Sequence, residues 1–183
     1  MSKKFHLRIV VPFFALLALA CGLAGCRPTN PLNQKISASS EEDHRLWRAH
    51  AQDSLSQAQM DDYDEAIQEL RLKIMAEHVA SLSDAVNEAL WMKINQRPVC
   101  EVIQEGFQFQ LSRLNADKVE LLRVHKINAS LKTKPGDTES ADHLKSVRQA
   151  EAEQIAALDA KIAKVREKLQ KYDPKLYTAT SGK

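Results

Sequence analysis

Glycine, proline and aromatic side chains are all scarce in this chain. Its 183 residues include only 5 Gly and 6 Pro, and aromatics make up 5%. So few turn-formers and aromatic residues argue against a β-sandwich or barrel, which uses both at short intervals. There is no Gly-rich phosphate loop, no HExxH and no G-x-S-x-G, the motifs that announce nucleotide, zinc-protease or serine-hydrolase chemistry. A surplus of one charge is missing too. The 26 Lys+Arg face 24 Asp+Glu, which excludes a chain-wide basic surface for nucleic acid and an acidic disordered coil. The 3 cysteines stand apart at positions 21, 26 and 100, and a zinc site needs clustered Cys or His. The expectation is a non-enzymatic protein with no cofactor and no metal site.

What is present begins with an address. Lys3, Lys4 and Arg8 precede an almost wholly apolar run, Ile9–Ala20, and small residues follow it. This order is that of a signal peptide, here residues 1–25, which is removed before the mature fold forms. Leu23-Ala24-Gly25-Cys26 resembles the lipobox of bacterial lipoproteins. The resemblance covers the export segment alone, and no family is recognised for the rest. It implies that the Cys26 thiol takes a diacylglycerol and that the chain is cut just before it. It implies further that the new amino group receives another acyl chain such as palmitate. Several chains hold firmly, since each buried CH₂ contributes about 0.8 kcal/mol. The competing reading is an uncleaved anchor, but Ile9–Gly25 falls short of the about 20 residues usual for a span. Arg27, where Asp would retain a protein at the inner membrane, implies the periplasmic face of the outer membrane; the periplasmic side of the inner membrane is the alternative.

Residues 26–39 read as a lipidated tether, polar and with Pro28 and Pro31. Residues 40–173 read as an all-α domain. From Leu32 to Arg97 there is neither Gly nor Pro, which favours long helices. Ser39 with Glu42 has the spacing of a capping box, and Trp47, Ala51, Leu55 and Ala58 follow at helical spacing. Asp62 with Glu65 gives a second start signal. The stretch to residue 96 is thus one long helix or two jointed near Met60–Asp62, and the acid cluster favours the joint. Pro98 ends it. Ile103, Phe107, Leu111, Leu114, Leu121, Val124, Ile127 and Leu131 mark the next apolar face, and Gly106 is expected to soften its first turn. Lys134-Pro135-Gly136-Asp137 is a turn. Ile155, Leu158, Ile162, Val165, Leu169 and Tyr172 then alternate three and four apart, a coiled-coil seam. The same frame puts Arg148 and Glu151 on the seam, so it should end there. Residues 174–183 read as a flexible tail. The expected fold is an elongated antiparallel helical bundle or hairpin of 3-4 long helices, partly coiled-coil-like, whose narrow core a second copy could complete.

Charge is uneven along the chain. Residues 41–88 hold 12 acidic and 4 basic groups, and residues 89–183 hold 12 acidic and 17 basic. Acidic and basic helices packed side by side would explain this. A basic face along Lys161, Lys164, Arg166, Lys168 and Lys171, turned to an anionic envelope polymer, is the sharper alternative. His78 and His125 lie on or beside apolar stripes and read as core-edge histidines; His44, His50 and His143 form no ligand set. Cys100, flanked by Val99, Val102 and Ile103, reads as a small buried hydrophobe, with an intermolecular disulfide as the alternative. Asp62–Ile67 resembles a fragment of a tetratricopeptide repeat, but Lys73 and His78 break the pattern and no second copy follows. The terminal Lys183 resembles the murein-linked lysine of the major murein lipoprotein in position alone. The expected function is a membrane-anchored periplasmic lipoprotein, an adaptor or scaffold with a protein partner or a second copy and no nucleic acid. A structural, peptidoglycan-associated lipoprotein and a helical-bundle enzyme or small-ligand binder are the alternatives.

Overall fold

The computed structural model describes residues 30–77 and 83–173. The signal peptide, Cys26, His78 and the tail 174–183 lie outside the described residues. From Leu32 onward the chain forms one unit. After a 3₁₀ turn at Pro31–Asn33 the described residues hold five α-helices: α1 Glu41–Ala51, α2 Gln57–Glu77, α3 Ser83–Ile94, α4 Val99–Ser130 and α5 Thr138–Lys171. No described residue lies in a β-strand, and the all-α expectation holds. The described residues hold five helices in place of the expected 3-4 long ones: the stretch before Pro98 breaks after Ala51, and residues 78–82 lie outside the described residues.

That break falls between Ala51 and Gln57, upstream of the expected joint. Its cause is a capping box at Ser56. The Gln59 amide donates to Ser56 Oγ (3.3 Å), and the Ser56 amide donates to Gln59 Oε1 (2.8 Å). The Gln59 amide is shared with the Ser56 carbonyl (2.9 Å) and the Ser56 amide takes the Gln59 side chain, which starts α2 there. The Asp62–Glu65 cluster is therefore helix interior, not a helix start. The cap of α1 is likewise one residue later than expected: Ser40 accepts from the Asp43 amide at 3.1 Å. Asp137 caps α5 by accepting from the Ser140 amide at 3.1 Å, and Gly136 supplies the positive φ (89°) of the turn before it.

The segment expected to be tether is structural from Leu32 to Ala38. Leu32, Ile36 and Ala38 are buried in the core. The strap runs extended against the α3–α4 junction, pairing Lys35 with Pro98. Ile36 donates to the Arg97 carbonyl (3.0 Å) and accepts from the Gln96 amide (2.8 Å). The Gln34 carbonyl takes the Val99 amide (3.1 Å), which has no acceptor within its own helix. Gln96 sits at φ 60°, a strained value for a residue with a Cβ, and the Ile36 carbonyl holds it there. Polar composition hid this, because three apolar residues at even spacing suffice to bury a short extended strap.

The core joins α2 to the first half of α4. Met60, Tyr63, Ala66, Leu70 and Ile74 meet Val99, Val102, Ile103 and Phe107, all buried. Gly106 does not soften the helix as expected. It is the crossing point: a Cβ there would lie 2.6 Å from Ala66 Cα, Cβ and O, so only glycine lets the two backbones approach this closely. Ile162, Val165 and Tyr172 on the expected seam complete the core from α5.

Beyond Leu114 the helices α4 and α5 continue as a two-helix hairpin. In the stretch 115–158 only Glu151 is buried. The seam continues here with polar side chains, against expectation. Arg148 donates to the carbonyls of Asn128 (2.8 Å), Ala129 (3.2 Å) and Leu131 (2.9 Å), the last of α4. Glu151 accepts from Asn128 Nδ2 and lies 2.9 Å from His125 Nδ1. A seam residue that finds partners across the gap keeps the register as well as a leucine does.

Candidate functional site

Four arrangements of side chains can be judged as sites. The first surrounds His44. Its ring stacks on Trp91 (centroids 4.4 Å) and Trp47 (5.8 Å), and Nε2 lies 2.9 Å from Tyr63 Oη. Burial lowers its pKa, and the nearby Arg48 guanidinium lowers it further, so the neutral ring is the one that fits. Burial also raises the Tyr63 hydroxyl well above its ordinary value. The aromatic box resembles a cation trap in composition, but the imidazole itself fills it. It clamps α1 to α2 and α3.

The second arrangement is the lock between α2 and α5. Asp62 is buried and accepts from Tyr172 Oη (2.6 Å), Lys171 Nζ (2.9 Å) and Lys168 Nζ (2.9 Å). Lys168 also pairs with Glu65 and lies 4.8 Å from the centre of the Phe107 ring. Burial alone would raise the Asp62 carboxyl; the hydrogen bonds from Tyr172, Lys168 and Lys171 outweigh it and hold it low. Arg113 adds a two-pronged pair to Glu69 at 2.6 and 3.3 Å. The charge imbalance along the chain therefore resolves as acidic α2 packed against basic groups of α4 and α5. Two of the five residues of the expected basic face, Lys168 and Lys171, are engaged in that packing; Lys161, Lys164 and Arg166 are exposed.

The third arrangement gathers three cations on one carboxylate. Glu105 meets Arg97 at 2.7 Å, Lys93 at 2.9 Å and Lys73 at 3.2 Å. Burial would raise its carboxyl, but the hydrogen bonds from Arg97, Lys93 and Lys73 bring it down to about 2. Sequence reading missed this cluster, and no local signal marks it, since its members come from α2, the α3–α4 junction and α4.

The fourth is the hairpin beyond Leu114, hereafter the arm. Val119, Leu122 and Ile127 stand exposed on α4 and Leu131 just past its end, at 67%, 42%, 48% and 50%. The periodicity had placed Leu121, Val124, Ile127 and Leu131 on an inner face; Leu121 and Val124 are half-buried as expected, whereas Ile127 and Leu131 are exposed and His125 and Asn128 are half-buried in their place. A groove of about 540 Å³ also opens between the start of α1 and α3, lined by Glu41, Asp84, Glu88, Trp91 and Met92 among others. Its carboxylates gather without a metal-ligand set, and no group of three or more potential ligands occurs among the described residues.

Cys100 is buried, with Sγ 3.8 Å from Asn33 Oδ1, and burial raises its pKa. A raised thiol under the strap is a poor nucleophile and a poor disulfide partner. Among the described residues no helix is long and apolar enough to cross a membrane. Comparison with known families, with curated proteins and with solved structures finds no match.

Proposed function

We propose that this chain is a lipid-anchored envelope protein, held by Cys26, that works as a non-enzymatic adaptor through helical protein–protein contacts of its arm. The residues 1–26 motif supports the anchor. The observation that carries the adaptor reading is the arm itself. It is a register-locked hairpin that no third helix of the described residues covers, and it displays four large apolar side chains to solvent. Exposed apolar residues on a preorganised helix face favour a helical partner, because little ordering entropy remains to be lost on binding. The expected site of action is the periplasmic face of the outer membrane.

Two measurements test it together. Intact mass of the full chain from bacterial membranes, beside Cys26→Ala, should show loss of residues 1–25 and gain of acyl mass in the wild type only. A photo-crosslinking residue at Leu122 should then give one discrete adduct in cells, identified by mass spectrometry, and the same residue at Ala163 on α5 should give none. An unprocessed, unacylated chain refutes the anchor. Equal adducts at both positions, or none at either, refute the arm as the contact surface.

A further inference from the structure

We propose that the face carrying Lys35, Lys73, Lys93 and Arg97 seats on the phosphate headgroups of the bilayer that holds Cys26. This inference rests on the anchor reading, and two features of the chain support it.

The first is length. Leu32 is already buried, so no more than the six steps from Cys26 to Leu32 separate the anchor from the core, whatever their conformation. At about 3.5 Å per residue they reach roughly 20 Å. The body is thus held near the surface by the end from which the strap emerges. That end is the α3–α4 junction, where Lys35 pairs with Pro98 and the Gln34 carbonyl meets the Val99 amide. Glu105 lies six residues along α4 from Val99, about 9 Å at 1.5 Å per residue. The three cations gathered on Glu105 therefore sit beside the place where the anchored chain joins the fold.

The second is charge. Arg97, Lys93 and Lys73 share Glu105, and Arg97 has Glu101 as a second, looser partner at 3.9 Å. Lys35 is exposed and has no ion-pair partner among the described residues. Four cations thus meet two carboxylates. A positive surplus within a Debye length of an anionic surface, about 8 Å at physiological salt, is attracted to it. A tether of at most roughly 20 Å returns the cluster to that range again and again, so even a weak attraction orients the body.

The test uses the full-length acylated protein, reconstituted in vesicles of phosphatidylethanolamine and phosphatidylglycerol that contain a nitroxide-headgroup lipid. Acylation consumes the Cys26 thiol and Cys100 is buried, so a single added cysteine takes a fluorescent label. Gln108→Cys reports on the proposed face and Gln149→Cys on the arm; both positions are exposed. We expect the label at 108 to be quenched several-fold more than the label at 149. The excess should shrink at least twofold when phosphatidylcholine replaces phosphatidylglycerol, when salt is raised to about 0.5 M, or in Lys35→Glu. Equal quenching at 108 and 149 overturns the inference. So does quenching at 108 that ignores lipid charge, salt and Lys35→Glu, because the tether alone would then explain it. Intact mass separates this failure from that of the anchor. An acylated chain without the excess overturns the seating alone, and an unacylated chain overturns the anchor and the seating with it.

Discussion

The same two helices, α4 and α5, build both the body and the arm, yet their two halves differ in almost every physical respect. In the body half, α4 buries Val99, Cys100, Val102, Ile103, Gly106, Phe107 and Leu114. In the arm half, Lys118 to Ser130, it buries nothing fully. Composition does not account for the change, since Val119, Leu121, Leu122, Val124 and Ile127 are as apolar as their counterparts. The third layer does. Where α2 covers the pair, apolar area leaves water on two sides; where α2 ends, each helix has one neighbour and one seam. The arm makes up the shortfall with directed polar bonds, Arg148 to three carbonyls and Glu151 to Asn128 and His125. The body is held by packing, the arm by register.

Truncation should expose that contrast most sharply. Phe107→Ala should cost about 4 kcal/mol in chemical denaturation, the upper range for a large buried side chain. Leu121→Ala, half-buried in the arm, should cost about 1 kcal/mol. Equal costs would show that the arm is packed as tightly as the body.

Acid should act on the body next. Glu105 titrates near pH 2 when folded and near 4.5 when unfolded. Its contribution is whole above pH 4.5 and is lost as pH falls through 2, and Asp62 and Glu65, also held low, act in the same direction. Glu105 alone should supply on the order of 2 kcal/mol after allowance for solvent screening. In Glu105→Gln the midpoint in a pH-jump unfolding series should depend less on pH across that window; an unchanged profile would remove the cluster from the account.

Arg148→Ala should cost about 1–2 kcal/mol, because it unties the last carbonyls of α4. The loss should be local: amide exchange should quicken in the arm and stay unchanged at Tyr63 and Ile103. Quickening throughout would mean that arm and body unfold together. The smallest effect belongs to Val119→Ser with Leu122→Ser. Stability should shift by less than about 0.5 kcal/mol, while any contact made by the arm is lost. A large drop in stability would show that these residues serve the fold instead of a partner.

Much of α4 and α5 was legible because their rules are local. The turn at Lys134–Asp137, the stop at Pro98 and the seam from Ile155 to Tyr172 each rest on spacing within a few residues. The Ser56–Gln59 box was equally local and was passed over for the more conspicuous acids at Asp62 and Glu65. Asp62 turned out to be the buried partner of Lys168, Lys171 and Tyr172, and Glu65 a half-exposed partner of Lys168, pairings across more than a hundred residues that no window along the chain displays. The strap was hidden for the same reason: its bonds go to residues 95–99, and its own stretch reads as polar linker. Gly106 had an ambiguous sign, since a mid-helix glycine marks weakness or close approach equally well until Ala66 is seen against it.

The strap also sets where mechanical load enters the molecule. A pull on the chain ahead of Leu32 does not first straighten a slack leash down to residue 39. It arrives at once on Ile36, whose two backbone bonds at the α3–α4 junction lie crosswise to an extended strand and so are loaded in shear, several at a time. Drag on the arm and a pull on the chain ahead of Leu32 therefore meet in the core of the body, across a joint whose resistance comes from bonds that must break together.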